Sequence, residues 1–141
     1  MSFGGFDSVE GLRGAAVRFM ETAWRQRDPD AVRALAGPDY RYALGSHDDT
    51  LPIEGYLRLL ATFQHAFDDL VLAVLETVAE GDHVALHLVL AGRHVRELFG
   101  IAARGSEGRL DLMTRLEFRD RRVHRQYAVT DFSTLTAIMR S

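Results

Sequence analysis

The sequence predicts an α+β fold in which helices come first and a run of antiparallel strands follows. Apolar residues recur at helical spacing in the first half of the chain, and they alternate at strand spacing after Asp68-Asp69. Short polar turns such as Glu80-Gly81-Asp82 separate the alternating segments. Helices that cover one face of a curved sheet enclose a cavity, so we expect residues with a chemical role to point to that face.

The first helix is predicted from apolar residues at helical intervals, which are Val9, Leu12, Ala16, Phe19, Met20 and Ala23. Asp7 and Glu10 have the spacing of a capping box at its start. Pro29 disfavours helical geometry in the residue before it, so the helix should end near Arg27. Asp28 can then cap a short second helix that ends at Gly37-Pro38.

The remaining elements follow from the same two periodicities. A short strand is predicted at 40–44, and Pro52 opens a third helix. The apolar face of this helix carries Ile53, Tyr56, Leu57, Leu60, Phe63 and Phe67. Further strands are predicted at 70–79, 83–93, 109–119 and 123–129, and a closing helix at about 133–139. The 141 residues contain no repeat or linker, so we expect one domain over 1–141.

The composition excludes several kinds of chemistry. The chain has no Cys, and all 17 of its Lys and Arg residues are Arg. Thiolate nucleophiles, disulfides, Schiff-base amines and a phosphate-loop lysine are therefore ruled out. A net charge of −3 argues against nucleic-acid binding. The N-terminal segment has no pattern of a signal peptide and no long apolar run occurs, so we expect a cytoplasmic protein without a membrane span.

The strand that begins at His83 carries the first candidate site residue. One of its faces is apolar until its last member and consists of Val84, Leu86, Leu88, Leu90, Gly92 and His94. We assign this face to the cavity, and the face with His83 and His87 to the outside, where a second subunit can contact it. His94 is then an inward polar group, either catalytic or a structural histidine bonded to a backbone carbonyl.

No metal site is predicted. Four residues of strand separate His83 and His87 by about 13 Å, which is too far for one ion. The polar loop that contains His47-Asp48-Asp49 offers ligand types as well, but we interpret it as solvated.

Asp131 is the second catalytic candidate. It follows an apolar strand and precedes Phe132, so we expect it to be partly buried. Burial raises the pKa of a carboxyl group and suits it to act as a base near neutral pH. The alternative role, N-cap of the closing helix, fits the sequence equally well, and one residue could serve as both.

The substrate-binding candidates are aromatic and polar residues that we expect on the cavity wall. Tyr42 shares a strand face with Leu44, Thr114 is the polar member of an otherwise apolar face, and Tyr127 shares a face with Val123. Trp24 either roofs the cavity or packs in the core. The full predicted set is Trp24, Tyr42, Phe63, Phe67, Thr114 and Tyr127.

Three segments resemble the SnoaL-like polyketide cyclase family of the nuclear-transport-factor-2-like superfamily. They are AFDDL at Ala66–Leu70, VAEGDHVALHLVLAGRHVREL at Val78–Leu98, and EFRDRRVHRQYAVTDFSTL at Glu117–Leu135. Within them His94 and Asp131 match family positions. This chain has Asp68, Arg93, Arg121 and Tyr127 where the family typically has Pro, Thr, Gly and Trp.

The resemblance implies a cone-shaped α+β barrel whose curved, mostly antiparallel sheet wraps around the N-terminal helices. It also implies a homodimer that works without cofactor or metal on a hydrophobic, polyketide-like substrate in bacterial secondary metabolism, such as antibiotic biosynthesis. Asp131 would remove a proton next to a carbonyl, and His94 or Tyr42 would stabilise the enolate in an aldol ring closure or a related isomerisation. The alternatives are a non-catalytic ligand-binding or dimerisation module and an epoxide hydrolase. The latter requires a second inward acid, and the nearest candidate, Asp111, is predicted to face outward.

Overall fold

Four α-helices pack with one curved, six-stranded sheet. The computed structural model describes residues 3–46 and 48–140. The elements in chain order are α1 (Val9–Glu21), a π-helical turn (Thr22–Gln26), α2 (Pro29–Leu35), β1 (Ala36–Leu44), β2 (Thr50–Leu51), α3 (Ile53–Ala66), β3 (Phe67–Glu80), β4 (His83–His94), β5 (Glu107–Arg119), β6 (Arg122–Thr130) and α4 (Phe132–Arg140). The predicted α+β class, with helices first and strands later, is confirmed.

The cap of α1 differs from the predicted one. Ser8 is the N-cap residue, and its hydroxyl accepts a hydrogen bond from the Gly11 N–H at 3.0 Å. Asp7 therefore lies one residue outside the helix, and the predicted capping box with Glu10 is wrong because its spacing is counted from the N-cap. At the other end, the π-helical turn stops at Arg27, whose φ of 53° leaves helical geometry as predicted.

The second helix begins as predicted and ends early. The Asp28 carboxylate accepts a hydrogen bond from the Ala31 N–H at 3.1 Å, and Pro29 occupies the first turn. The helix ends at Leu35 because Ala36 is already extended and begins β1. The predicted end at Gly37-Pro38 is thus two residues too late.

The sheet has the strand order β2-β1-β6-β5-β4-β3. Every neighbouring pair is antiparallel except β1 and β6, which run parallel. The mostly antiparallel sheet is thus confirmed. Because β6 is the last strand and β1 the first, this pairing brings the two ends of the chain together at the middle of the sheet.

The alternation predicted for β4 and β5 is confirmed. All six residues of the assigned inner face of β4 are buried, as are the corresponding members of β5, which are Leu110, Leu112, Thr114, Leu116 and Phe118. Most residues between them on the outer faces are exposed or half-buried. The apolar inner face of β4 packs against α1 and that of β5 against α4, so the core and any enclosed cavity lie on this side of the sheet.

The last strand presents the opposite face from the one predicted. We assigned Tyr127 to the cavity, but it lies on the outer face beside the exposed Arg125 and Val129. Gln126 and Ala128 are the buried residues instead.

The reversal has a local cause. The register between β5 and β6 shifts between Glu117 and Phe118, and the neighbouring residues Val123 and His124 are both buried. One extra residue in a strand moves every later side chain to the other face. The alternation that begins at Val123 therefore cannot be extended to Tyr127.

No helix in the described ranges 3–46 and 48–140 is long and apolar enough to cross a membrane.

Candidate functional site

A narrow cavity lies between the inner face of the sheet, α3 and α4. It consists of two adjoining hollows of about 410 and 260 Å³, counted with their open mouths. Each leaves room for only a few water molecules. Both are bordered by Trp24, Phe63, Leu90 and Leu110. The larger hollow also meets Tyr42, Leu44, Tyr56, Leu59, Leu112, Gln126, Ala128, Thr130 and Phe132, and the smaller one meets Phe67, Leu70, Gly92, Gly108 and Leu135.

Aromatic rings form much of the wall of the larger hollow. Trp24 meets Phe63 edge to face at 6.2 Å between ring centroids, and Phe63 stacks on Phe132 of α4 at 6.1 Å. The ring centroids of Tyr42 and Tyr56 lie 4.7 Å apart. The structure thus places three predicted binding residues, Trp24, Tyr42 and Phe63, on the wall of the larger hollow. Such a wall favours a flat, apolar ligand.

A buried amide connects the tyrosines behind this wall. The Tyr40 O–H donates a hydrogen bond to Gln126 Oε1 at 2.5 Å. Gln126 Nε2 donates hydrogen bonds to two hydroxyl oxygens. They are Tyr56 OH at 3.4 Å and Thr114 Oγ1 at 3.3 Å. Sequence reasoning missed Gln126, although its alternation with the exposed Arg125 would have indicated its inward position.

Burial keeps the tyrosine hydroxyls protonated. Desolvation raises the pKa of Tyr40 well above its usual value, and the neighbouring tyrosines raise it further. The pKa of Tyr42 is raised by burial and by Tyr56. Burial raises the pKa of Tyr56 to about 12, although its neighbours Gln126 and Trp24 oppose the shift. All three groups are therefore hydrogen-bond donors at neutral pH.

Two donors on the wall of the larger hollow are left without an acceptor. The Trp24 Nε1–H is buried and makes no hydrogen bond of normal geometry, although it lies close enough to Tyr56 to lower the pKa of that hydroxyl. Within the described residues the Tyr42 hydroxyl makes no hydrogen bond either. A carbonyl or enolate oxygen of a ligand that came within hydrogen-bond distance of either group would satisfy it.

His94 lies deeper than predicted and outside the cavity wall. Its side chain is 0% exposed, and neither ring nitrogen has a hydrogen-bond partner among residues 3–46 and 48–140. The alternative role of a histidine bonded to a backbone carbonyl finds no such bond among the described residues. The Phe67 ring covers the imidazole at 5.3 Å between centroids, and Phe67 is the residue that faces the smaller hollow. A ligand in this hollow therefore meets Phe67 and not His94.

Asp131 is exposed, which corrects the expectation of partial burial and a raised pKa. It caps α4, because its carboxylate accepts hydrogen bonds from the Ser133 hydroxyl at 2.6 Å, the Thr134 N–H at 3.2 Å and the Thr134 hydroxyl at 2.5 Å. These bonds, first that from Ser133, lower the pKa of Asp131 to about 2. Its sequence neighbours Thr130 and Phe132 line the larger hollow, whereas Asp131 itself does not.

Sequence comparison assigns the family. The family model of the SnoaL-like polyketide cyclases matches residues 14–137, which is most of the chain. The chain belongs to this family. No curated protein matches the chain in sequence.

Solved structures support the SnoaL-like fold. AclR from Streptomyces galilaeus, described as a candidate hydroxylase, has a TM-score of 0.85 at 22% identity, with 94% of this chain and 83% of that chain covered. IdmH from Streptomyces antibioticus, a candidate polyketide cyclase, has a TM-score of 0.81 at 23% identity. The match covers 92% of this chain and 99% of that chain. A candidate SnoaL-like polyketide cyclase from Jannaschia sp. CCS1 has a TM-score of 0.84 at 19% identity, and the match covers 96% of each chain.

Two of the departures from the SnoaL-like sequence pattern lie on the surface near the start of β3. Asp68 is exposed and lies 3.8 Å from Arg96, and Arg93 is exposed and lies 3.9 Å from Asp69. These long ion pairs in solvent contribute little. Both side chains point away from the cavity.

A third departure alters the turn between β5 and β6. Arg121 has a φ of 67°, a conformation that suits the glycine that the SnoaL-like pattern has there. Its backbone N–H donates to the Gly4 carbonyl at 2.7 Å, and its guanidinium lies 5.0 Å from the Phe6 ring centroid. The arginine therefore holds the N-terminal segment against the turn.

Thr114 and Tyr127 complete the predicted binding set. Thr114 is buried behind the wall and donates a hydrogen bond to the Tyr127 carbonyl at 3.2 Å. The Tyr127 ring lies on the outer face of the sheet, with its centroid 5.8 Å from the Cζ atom of Arg115. Neither residue lines the two hollows of this SnoaL-like domain.

The wall of the cavity contains no carboxylate or imidazole among the residues described, so it offers no ligand set for a metal ion. Elsewhere Asp82, His83 and Glu117 bring three donor atoms within 4.8 Å of one another, partly exposed at the β3–β4 turn. His87 is paired with Asp111 at 3.0 Å on the outer face, where Asp111 was predicted. His47, part of the predicted solvated loop, lies outside the described residues.

Proposed function

We propose that this SnoaL-like chain is an enzyme that binds a polyketide-like molecule in the aromatic cavity and closes a ring in it by intramolecular aldol addition. The observation that carries the proposal is that two residues of the larger hollow's wall, Tyr42 and Trp24, have a hydroxyl and an Nε1–H that make no hydrogen bond of normal geometry to a described residue. Fixed donors in a site that excludes water stabilise an oxyanion more than water does.

The proposed reaction begins with loss of a proton from the carbon next to a substrate carbonyl. The two donors stabilise the resulting enolate oxygen, the enolate carbon attacks a second carbonyl of the same molecule, and the new alkoxide takes up a proton. Asp131, which follows Thr130 of the cavity wall, stays our prediction for the proton acceptor. His94 stays our prediction for a second acid or base, a role that requires the Phe67 ring to move aside. A pKa of about 2 makes Asp131 a weak base, so substrate binding must first weaken its bonds to Ser133 and Thr134.

Substrate entry requires the mouth of the cavity to open. The hollows hold only a few water molecules, whereas small-molecule sites commonly enclose about 300–1,000 Å³. Phe132 and Leu135 of α4 border the hollows and are the residues nearest the end of the chain that do so. Outward movement of α4 would enlarge the cavity without breaking the sheet.

The test follows products by mass spectrometry after incubation with candidate polyketide intermediates. Tyr42→Phe removes one donor and should lower kcat by about 10²–10³-fold with a small change in KM. The matched control is Tyr127→Phe on the outer face, which should leave turnover unchanged. Full turnover by Tyr42→Phe would refute the assignment of this hydroxyl, and full turnover by Asp131→Asn would refute that of the base.

A second candidate function is ligand binding without turnover. It is favoured by the lack of a carboxylate or imidazole on the described wall, because proton abstraction needs such a group within reach. A thermal-shift panel of aromatic polyketides that shows tight binding, with no product in the mass spectra, would establish this function instead. Epoxide hydrolysis has less support, since Asp111 faces away from the cavity.

We further propose a homodimer formed through the outer face of the sheet. Large apolar side chains are exposed there, namely Val71, Leu75, Val78, Met113 and Val129. An exposed apolar patch on one sheet face is typical of a protein interface. A second copy of the chain would cover this patch and leave the cavity on the opposite face accessible.

The remaining proposals concern the chain as a whole. One hydrophobic core includes residues from Leu12 to Met139, which supports a single domain over 1–141. The names of the similar Streptomyces proteins support a role in bacterial secondary metabolism. We propose that the enzyme acts in the cytoplasm. We also propose that it works without a cofactor, as the family resemblance implies.

A further inference from the structure

We propose that the outer face of the sheet carries a second binding site, an arginine groove that takes a phosphate dianion. Three arginines from neighbouring strands line it, Arg41 of β1, Arg115 of β5 and Arg125 of β6. Thr50, Glu117, Gln126 and Tyr127 are its other polar residues. The groove measures about 550 Å³, counted with its open mouth. It begins beside Met113 and Val129 of the proposed dimer patch and extends away from that patch towards β1 and β2.

The strand register places the positive charges side by side. Arg41 is the direct partner of Arg125 in the parallel β1–β6 pair, Glu117 of β5 is the partner of Arg125 on its other side, and Arg115 is the partner of Tyr127 in the next row. Like charges opposite each other on adjacent strands destabilise a sheet, and the single carboxylate of Glu117 offsets one of the three positive charges. An anion bound between the guanidinium groups would offset the other two.

Hydrogen bonds to the protein hold two of the arginines in place. Arg41 donates from Nε to Thr50 Oγ1 and from Nη2 to the Thr50 carbonyl, both at 2.8 Å. Arg125 donates from Nη1 to the carbonyls of Asp39 at 2.6 Å and His124 at 3.0 Å. Arg41 Nη1 and Arg125 Nε and Nη2 have no acceptor among the described residues. The binding geometry is therefore largely formed before a ligand arrives.

The charge of the groove selects the ligand. Glu117 is the one acidic residue among the described residues that line the groove, and it forms no ion pair within 4.0 Å with any of them. Three arginines and one glutamate leave a net charge of +2. A phosphate monoester carries about −1.5 to −2 at pH 7 and three acceptor oxygens, whereas a carboxylate carries −1 and two. Arginine also matches phosphate geometry in pairs of parallel hydrogen bonds.

Binding is measured by calorimetry on the full chain with phenyl phosphate, inorganic phosphate and benzoate. Both phosphates should bind at least about tenfold more tightly than benzoate, since each charge-assisted bond contributes about a factor of ten. Comparison of the two phosphates distinguishes a free phosphate from a phosphate on an aromatic carrier. Tighter binding of phenyl phosphate would indicate the carrier, whose ring can pack near Tyr127.

Arg115→Gln is the main variant, because the Arg115 guanidinium forms no hydrogen bond or ion pair with a described residue and lies 5.8 Å from the Tyr127 ring centroid, so its loss should not disturb folding. It should weaken phenyl phosphate binding about tenfold, and Arg41→Gln should do the same. The matched control is Arg93→Gln, which removes an exposed arginine of β4 outside the groove. It should leave the affinity within twofold of the parent protein.

Three results would overturn the proposal. Benzoate could bind as tightly as the phosphates, Arg93→Gln could weaken binding as much as Arg115→Gln, or no phosphate could bind at all. The molar mass in solution is recorded for each variant as well. If Arg115→Gln halves the mass and phosphate binding is absent, the groove belongs to the interface between two copies of the chain.

Discussion

Asp131 illustrates how neighbours determine the chemistry of one residue. The same carboxylate that sequence reasoning placed in an apolar setting lies in solvent, where it accepts three hydrogen bonds from Ser133 and Thr134. These bonds favour the charged form and outweigh the small desolvation of the group, so they lower its pKa to about 2. A carboxylate of this kind stabilises a helix terminus.

The lowered pKa predicts a pH-dependent contribution to stability. In the unfolded chain the pKa of Asp131 is about 3.9, so its contribution is fully present above about pH 4 and is lost as the pH falls towards 2. Asp131→Ala should therefore lower Tm by a few degrees at pH 7 and by less at pH 3. Calorimetric scans between pH 3 and 7 measure the difference, and a difference that is constant over this range would contradict the assignment.

Gln126 is the residue that connects the buried polar groups of the cavity wall. Gln126→Leu would leave the Tyr40 O–H without its acceptor, which should lower the free energy of unfolding by about 1–3 kcal/mol. Adding Tyr40→Phe removes the orphaned hydroxyl, so the double variant should recover part of the loss. Urea titrations of both variants and of Tyr40→Phe alone give the coupling. Simple additivity of the two single losses would show that the hydroxyl is satisfied in another way.

At the scale of elements, small residues determine how closely the strands and α4 approach. A Cβ on Gly108 of β5 would lie 2.7 Å from Phe67 Cε1 and 3.4 Å from Leu135 Cδ1. The ring of Phe67 lies between the smaller hollow and His94 and is packed on both sides. The glycine thus creates the space in which this ring fits.

Gly108→Ala should therefore destabilise the protein by about 1–3 kcal/mol, because a buried ring must move to admit the new methyl group. Gly14→Ala is the matched control, since Gly14 lies in α1 with open space around it. That substitution should stabilise the protein by up to about 1 kcal/mol through helix propensity alone. Denaturant unfolding measures the stability of both variants. Equal effects at the two positions would mean that the Phe67 ring moves aside without a loss of stability.

The element scale also explains the main failure of sequence reasoning. Alternation predicted the buried faces of β4 and β5 correctly because both strands are regular where the alternation was applied. In β6 the irregularity near Val123 shifted the pattern by one residue, so Tyr127 was placed inside and Gln126 was overlooked. A bulge changes which residues face the core while leaving composition and strand length unchanged.

At the scale of the whole molecule, the outer sheet face predicts the assembly state. Met113→Asp and Val71→Asp each place a charge in the proposed dimer patch and should convert the protein to a monomer. Ala61→Asp on the exposed side of α3 is the control and should leave the mass unchanged. Sedimentation equilibrium measures all three. A parent protein that is already monomeric would refute the proposed dimer.

The sequence by itself determined the order of helices and strands, the inner faces of two strands and the family, because periodicity and short motifs are local properties of the chain. Only the tertiary structure decided which polar groups meet the cavity. The bond between Tyr40 and Gln126 joins residues 86 positions apart, and the parallel pairing of β1 with β6 makes it possible. Burial and hydrogen bonding then determined that the tyrosines remain neutral donors and that Asp131 remains charged, because these depend on neighbours distant in sequence or on the solvent boundary.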